Sequence, residues 1–218
     1  MKLTIALIIV NAVIFFISVM LGMQYGVNGL EYAAQNFGFQ PKTFLEGRFY
    51  TVFTSLFLHA DIMHLGFNMI ALFLLGTSLE SKVEKKKYLA AYFVGGMIGN
   101  LIMLVPFLYS PETIGIGASG AISALAGLGT FLCPGKLVIF PSVIPLPFVV
   151  AGALYFLSTA LNLFIPSQIG YPVHMVSMLA GALFGLVWAE NRKRSILIFV
   201  VTLILIVLLP YVLAAIFL

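Results

Sequence analysis

Apolar runs of about twenty residues, separated by short polar breaks, fill almost the whole chain. Seven stand out: Leu3–Gly22, Leu56–Leu79, Tyr88–Leu108, Gly117–Leu132, Leu146–Ile165, Val173–Ala189 and Ser195–Leu218. A helix needs roughly 20 apolar residues to cross the hydrocarbon of a bilayer. The pattern therefore predicts an all-α membrane protein with seven spans. The fourth and sixth runs are short, as spans are when they start below the membrane surface or sit in thinned lipid. The first run is too long for a signal-peptide core and lacks a cleavage site, so it is expected to remain as a helix. One long connection, from about Met23 to Ser55, mixes Tyr32, Phe37, Phe39, Phe44 and Tyr50 with few charges. That composition predicts a segment lying partly in the interfacial layer. The Pro- and Gly-containing stretch Cys133–Pro145 reads as a plain loop.

Composition agrees with the pattern. Hydrophobic residues make up 62% of the 218 positions and charged residues only 8%, against about a quarter in soluble domains. A surface with so little charge cannot be water-covered. The formal charge of +4 does not point to nucleic acid, because the basic residues sit in clusters between apolar runs. Lys82, Lys85, Lys86 and Lys87 follow the second run, Lys136 the fourth, and Arg192, Lys193 and Arg194 the sixth. Seven crossings put these loops and Lys2 on one side, leaving only Lys42 and Arg48 on the other. Basic loops stay cytoplasmic. The expected topology is a multi-pass protein of the cell membrane with the N-terminus cytoplasmic and the C-terminus external. One cysteine, Cys133, excludes an intramolecular disulfide and a thiolate metal cluster.

Polar residues inside apolar helices require a reason. Ser119 stands between glycines in Gly117-Ala118-Ser119-Gly120, at the opening of the fourth run. A helix start offers unpaired N–H groups and the positive end of the dipole, the environment a tetrahedral oxyanion needs. Glycines on both sides let a substrate backbone approach. Taken alone, the same serine reads as a helix cap among small packing residues. His174 opens the sixth run, with Ser177, Gly181 and Gly185 on one helical stripe below it. Gly120, Ala124 and Gly127 make a similar stripe beside Ser119. Small residues at such spacing permit close helix contact. If the two stripes pack, serine and histidine meet at one depth as nucleophile and general base. No acidic residue is placed to orient the imidazole, which predicts a dyad. On the second run His64 and Asn68 are four apart and share a face, and both can donate to an oxyanion. His59, five before His64, points elsewhere if the helix already runs there. Three histidines with Asp61 also raise zinc, but His-Glu-x-x-His is absent and five-residue spacing splits the imidazoles between faces. No metal and no cofactor is expected.

Together these segments resemble the rhomboid family of intramembrane serine proteases. The matching residues are Gly117-Ala118-Ser119-Gly120, His174 with Ala180-Gly181 and Gly185, His59 through Asn68, and Leu75-Gly76-Thr77-Ser78-Leu79-Glu80. The resemblance implies a six-helix catalytic core over residues 1–194, with residues 195–218 an additional transmembrane helix. It implies Ser119 as nucleophile, His174 as base, and His64, Asn68 and the Ser119 N–H as the oxyanion hole. His59, Gly117, Gly120 and Gly181 become structural residues near that site, and Glu80 a structural polar residue at the cytoplasmic end. Substrates would be single-span membrane proteins, entering from the bilayer between the second and fifth helices under the loop Pro166–Pro172. Two departures stand out. Tyr50-Thr51 occupies the place where the family often carries Trp-Arg, with Arg48 three residues before Thr51, which puts the anchoring of the long loop in question. Ser177 replaces a frequent glycine, which is expected to set the sixth helix slightly away from the fourth. A catalytically inactive relative that binds helices and a small transporter are the competing classes. The presence of both Ser119 and His174 opposes the first. The clustering of polar groups near one face, rather than at the midplane, opposes the second.

Overall fold

The computed structural model describes residues 1–139, 144–163, 165 and 169–217, with side chains through residue 208. Helices dominate: α1 (Lys2–Tyr25), α2 (Gly29–Phe37), α3 (Pro41–Leu45), α4 (Thr51–Thr54), α5 (Ile62–Glu80), α6 (Lys85–Leu101), α7 (Ser119–Leu132), α8 (Phe148–Leu161), α9 (Tyr171–Trp188) and α10 (Arg192–Phe217). Among the described residues, four helical stretches are long and apolar enough to cross a membrane: Lys2–Tyr25, Ile62–Glu80, Lys85–Leu104 and Tyr171–Trp188. Helices α7 and α8 are apolar but shorter.

Small residues decide which helix sits in the middle. Every residue of α7 from Gly120 to Phe131 is buried, and α5, α6, α8 and α9 all pack on it. The α7–α9 seam is the tightest. A Cβ on Gly181 would overlap the Ala124 carbonyl, one on Gly127 would overlap the Met178 carbonyl, and one on Gly185 would stand 2.8 Å from the Leu128 carbonyl oxygen. The stripes read from the sequence are thus the contact surface. Ser177 faces α6 and α7 at once. It is fully buried, and its hydroxyl fills the place that a Cβ on Gly99 of α6 would take and lies 3.1 Å from where a Cβ on Gly120 would be.

Polar side chains fasten the outer helices at defined points. Glu80, at the end of α5, accepts hydrogen bonds from the Leu3 and Thr4 N–H groups at 2.9 and 3.0 Å and from Thr4 Oγ1 at 2.8 Å. Thr4 Oγ1 also lies 3.0 Å from the Tyr88 hydroxyl of α6. The carboxylate thereby caps the start of α1 and ties it to α5, and the Thr4 hydroxyl adds the link to α6. Helix α10 packs on α8, α9 and the end of α7, with Phe199 set 4.9 Å from Phe131 and 6.1 Å from Phe156 between ring centroids.

Three connections differ from the sequence reading. The long first loop contains α2, α3 and α4, pieces too short for periodicity to reveal. It is held by the bridge between Phe39 and Gly115, by contacts of Phe44 with Phe39 and Phe49 at 5.1 and 5.2 Å, and by the exposed pair Lys42–Glu112 at 3.0 Å. The hydrogen bond to Glu112 raises the Lys42 pKa. Arg48 is exposed and, among the described residues, bonds through its backbone, its N–H donating to the Thr43 carbonyl at 3.0 Å and its carbonyl accepting from Thr51, so its side chain is not what anchors the loop. In the stretch Cys133–Pro145, Leu137–Val138 pairs antiparallel with Leu146–Pro147 as a short ribbon, while residues 140–143 lie outside the described residues. The second predicted span, Leu56–Leu79, is broken. Ser55–Phe57 is a 3-10 turn and α5 starts at Ile62, because Asp61 in extended conformation caps it by accepting from the His64 N–H at 2.8 Å.

Candidate functional site

The turn before α7 is forced by glycine. Gly117 has φ of +123°, a conformation side-chain-bearing residues avoid. Helix α7 therefore begins at Ser119, not Gly117 as the apolar run suggests, and Ala118 is the residue before its first turn. A Cβ on Gly117 would stand only 2.8 Å from His64 Nε2, so glycine also makes room for that imidazole. The Gly117 N–H donates to the Ser55 carbonyl at 2.9 Å. Ser55 Oγ in turn receives the Asn100 amide of α6 at 2.9 Å. Asn100 also donates to the Val52 carbonyl at 3.1 Å. A lone asparagine in an apolar helix thus fixes the segment that fixes the turn. The sequence reading did not include Ser55 or Asn100. The signal that could have found Asn100 is its isolation among apolar residues.

Ser119 and His174 come together across the α7–α9 seam. His174 Nε2 lies 2.8 Å from Ser119 Oγ, a hydrogen-bond distance. Both side chains are partly buried. The glycines expected near them have distinct jobs: Gly120 leaves space for Ser177 and Val173, and Gly181 sets the helix separation that brings His174 to the serine.

His64 reaches the same place from α5. Its Nδ1 accepts from the Ala60 N–H at 3.4 Å, and its Nε2 edge faces Gly117. Asn68 is buried one turn below and donates to the His64 carbonyl at 2.8 Å. An amide nitrogen carries two hydrogens, so one donor is not used by that bond. The first N–H groups of α7 have no partner within the helix. His59 stands outside α5, which begins at Ile62. Because it precedes the helix instead of lying on it, its ring packs edge-on to His64 with centroids 5.0 Å apart, and it is buried. No group of three or more His, Cys, Asp or Glu suited to a metal occurs among the described residues.

A further contact below the serine was also outside the sequence reading. Ser123, one turn along α7, donates to the Ser119 carbonyl at 2.8 Å. Its hydroxyl lies 2.6 Å from that of Tyr155 on α8. The pair links the neighbouring helix to the backbone of Ser119. Nothing local in the sequence marks it, because the partners are far apart along the chain.

These features define a helical membrane protein with a serine–histidine pair at the mouth of its central helix. Residues 46–191 match the Rhomboid domain family, and the chain belongs to the rhomboid family. It is 32% identical over 161 residues to RHOMBOID-like protein 12, mitochondrial, of Arabidopsis thaliana, covering 67% of this chain and 46% of that protein. It is 29% identical over 119 residues to Rhomboid-like protease 3 of Toxoplasma gondii, covering 55% and 44%. It is 29% identical over 150 residues to the putative rhomboid protease YdcA of Bacillus subtilis (strain 168), covering 68% and 71%. The chain spans less than half the length of the first two relatives.

Proposed function

We propose that the protein is an intramembrane serine endopeptidase that cuts membrane-protein substrates through a Ser119–His174 dyad. The observation that carries this is the 2.8 Å separation of His174 Nε2 and Ser119 Oγ, in a family whose named relatives include rhomboid proteases. The neutral imidazole takes the serine proton as Oγ attacks the scissile carbonyl carbon. The oxyanion is held by the Ser119 N–H, His64 and Asn68, aided by the positive end of α7. His174 then gives its proton to the leaving amine, and water hydrolyses the acyl-enzyme with the same histidine as base. The dyad needs no metal and no cofactor.

The reading extends to architecture and substrate. Residues 1–194 form the six-helix catalytic core and residues 195–218 the added helix. The N-terminus is cytoplasmic, the C-terminus external, and the site opens outward to water. Single-span proteins enter sideways between α5 and α8 and unwind near the external surface. The loop Pro166–Pro172 covers that entrance in this scheme; its residues 166–168 lie outside the described ones.

Cleavage of a single-span reporter in detergent tests the proposal. The unaltered protein should cut, and Ser119→Ala and His174→Ala should each lose on the order of 10³-fold or more. A fluorophosphonate should label the protein and fail on Ser119→Ala, and a chelator should leave cutting intact. Equal cleavage by all three proteins would defeat the assignment.

A further inference from the structure

At the end of α7 opposite Ser119, the structure holds a cavity of about 640 Å³ that the proposed peptidase chemistry does not use. It lies where the α5–α6 turn, the ends of α7 and α9 and the start of α10 meet. Lys82, Lys87 and Arg194 line it, with Trp188 as a flat wall and Val149 and Ile198 as apolar surface. Fourteen residues of α7 at about 1.5 Å each place it roughly 20 Å from the serine.

The charges in this cavity are unequally matched. Lys87 is committed: its Nζ pairs with Glu84 at 3.1 Å and sits 6.0 Å over the Trp188 ring. Glu190 also lines the cavity. Among the described residues, neither the Lys82 ammonium nor the Arg194 guanidinium has an ion-pair or hydrogen-bond partner. These two unpaired cations share the lining with Glu190 and with Glu84, which Lys87 already holds. Lys85 and Lys86 in the first turn of α6, Arg192 and Lys193 in the first turn of α10, and Lys136 in the connection after α7 lie at this same end, so the surrounding field is positive.

We propose that this cavity binds the headgroup of an anionic phospholipid, its phosphate between Lys82 and Arg194. A guanidinium offers a phosphate two parallel donors, and basic pockets between helices near the membrane surface take acidic headgroups. The volume lies in the range of small-ligand sites. The half-apolar lining favours a lipid over a free ion: Val149 and Ile198 suit the glycerol and the first methylenes, while the cations suit the phosphate. Lys82 follows α5 and Arg194 lies in the first turn of α10, so the bound headgroup links the start of α10 to the α5–α6 turn. This goes beyond the peptidase reading and requires only that the helices lie in a bilayer.

Trp188 is the chain's only tryptophan and lies on the cavity wall, which supplies the readout. The full chain in phosphatidylcholine nanodiscs is titrated with phosphatidylglycerol brominated on its acyl chains, and Trp188 fluorescence is followed at constant ionic strength. Saturable quenching should appear at a lower mole fraction than with brominated phosphatidylcholine. Joint Lys82→Gln and Arg194→Gln substitution should raise the half-quenching mole fraction by about tenfold, equivalent to about 1.4 kcal/mol. Joint Lys82→Arg and Arg194→Lys should retain the unaltered response, which separates lost charge from a misfolded variant. Equal quenching by the two lipids, or an unchanged midpoint in the glutamine variant, would overturn the proposal. Recovery of fluorescence on adding millimolar inorganic phosphate would also overturn it, in favour of a soluble phosphate.

Discussion

Helices α1 and α7 are both strongly apolar, yet they occupy opposite positions. Helix α1 has 24 residues, of which Thr4, Leu7, Asn11, Phe15 and Gly22 are buried. Its Ile9, Val13, Phe16 and Ile17 are exposed and suited to lipid. Helix α7 has 14 residues, and everything from Gly120 to Phe131 is enclosed by other helices. Hydrophobicity does not separate these two, because lipid tails are as apolar as a core. Side-chain size does. Helix α7 carries Gly120, Ala121, Ser123, Ala124, Ala126, Gly127 and Gly129, which let neighbouring backbones approach from several sides. Helix α1 presents Ile, Val and Phe, which fill space outward. In this chain the span that carries the serine is identified by small residues, not by its apolar character.

The sharpest way to break that contrast is to fill the α7–α9 seam. In Gly181→Leu the new side chain has to displace the Ala124 backbone, which cannot move without shifting α7. A destabilisation of about 3 kcal/mol or more is expected, at the upper end of overpacking effects, together with loss of reporter cleavage as Ser119 and His174 separate. Gly66→Leu on α5 is the comparison, since a Cβ there meets nothing within 4 Å, and it should shift stability by no more than about 0.5 kcal/mol. Unfolding in mixed micelles measures both. Equal losses would show that backbone approach at the seam is not what positions the pair.

The same distinction explains what could be read from sequence. Small-residue stripes on the fourth and sixth runs are periodic, and period survives in sequence; they were enough to bring Ser119 and His174 to one depth. His64 was visible through its spacing from Asn68. The break before α5 was not, because Asp61 acts as a cap only through its backbone conformation, and an apolar run continues straight across it. His59 falls outside the helix for that reason. The Asn100–Ser55–Gly117 connection joins residues from three parts of the chain, and no local pattern encodes such a bond. The short helices of the first loop are anchored by aromatic contacts that depend on tertiary proximity.

The Tyr155–Ser123 contact sharpens the comparison at smaller scale. It is a polar attachment to α7 from α8, one turn below the serine. Removing one neutral hydrogen bond costs about 1 kcal/mol, so Tyr155→Phe and Ser123→Ala should each destabilise by roughly that amount. The double variant should lose less than the sum, leaving a coupling of about 1 kcal/mol in a double-mutant cycle. Because Ser123 holds the Ser119 carbonyl, the reporter turnover of Tyr155→Phe should fall severalfold while KM is little changed. Strict additivity in both readouts would remove Tyr155 from any part in positioning the serine.

The smallest expected effect lies on α1. Ile9 is 55% exposed and points away from the bundle. Ile9→Ala removes methyl and methylene groups that mostly face lipid in both folded and membrane-inserted unfolded chains, so little burial is lost. The change in stability should stay within about 0.5 kcal/mol. Leu125→Ala provides the contrast on α7: Leu125 is fully buried, and the cavity left behind should destabilise by about 2–5 kcal/mol. If Ile9→Ala were as damaging as Leu125→Ala, α1 would have to be packed against protein on the face that the structure leaves open. The division between lipid-facing and helix-facing spans would then fail.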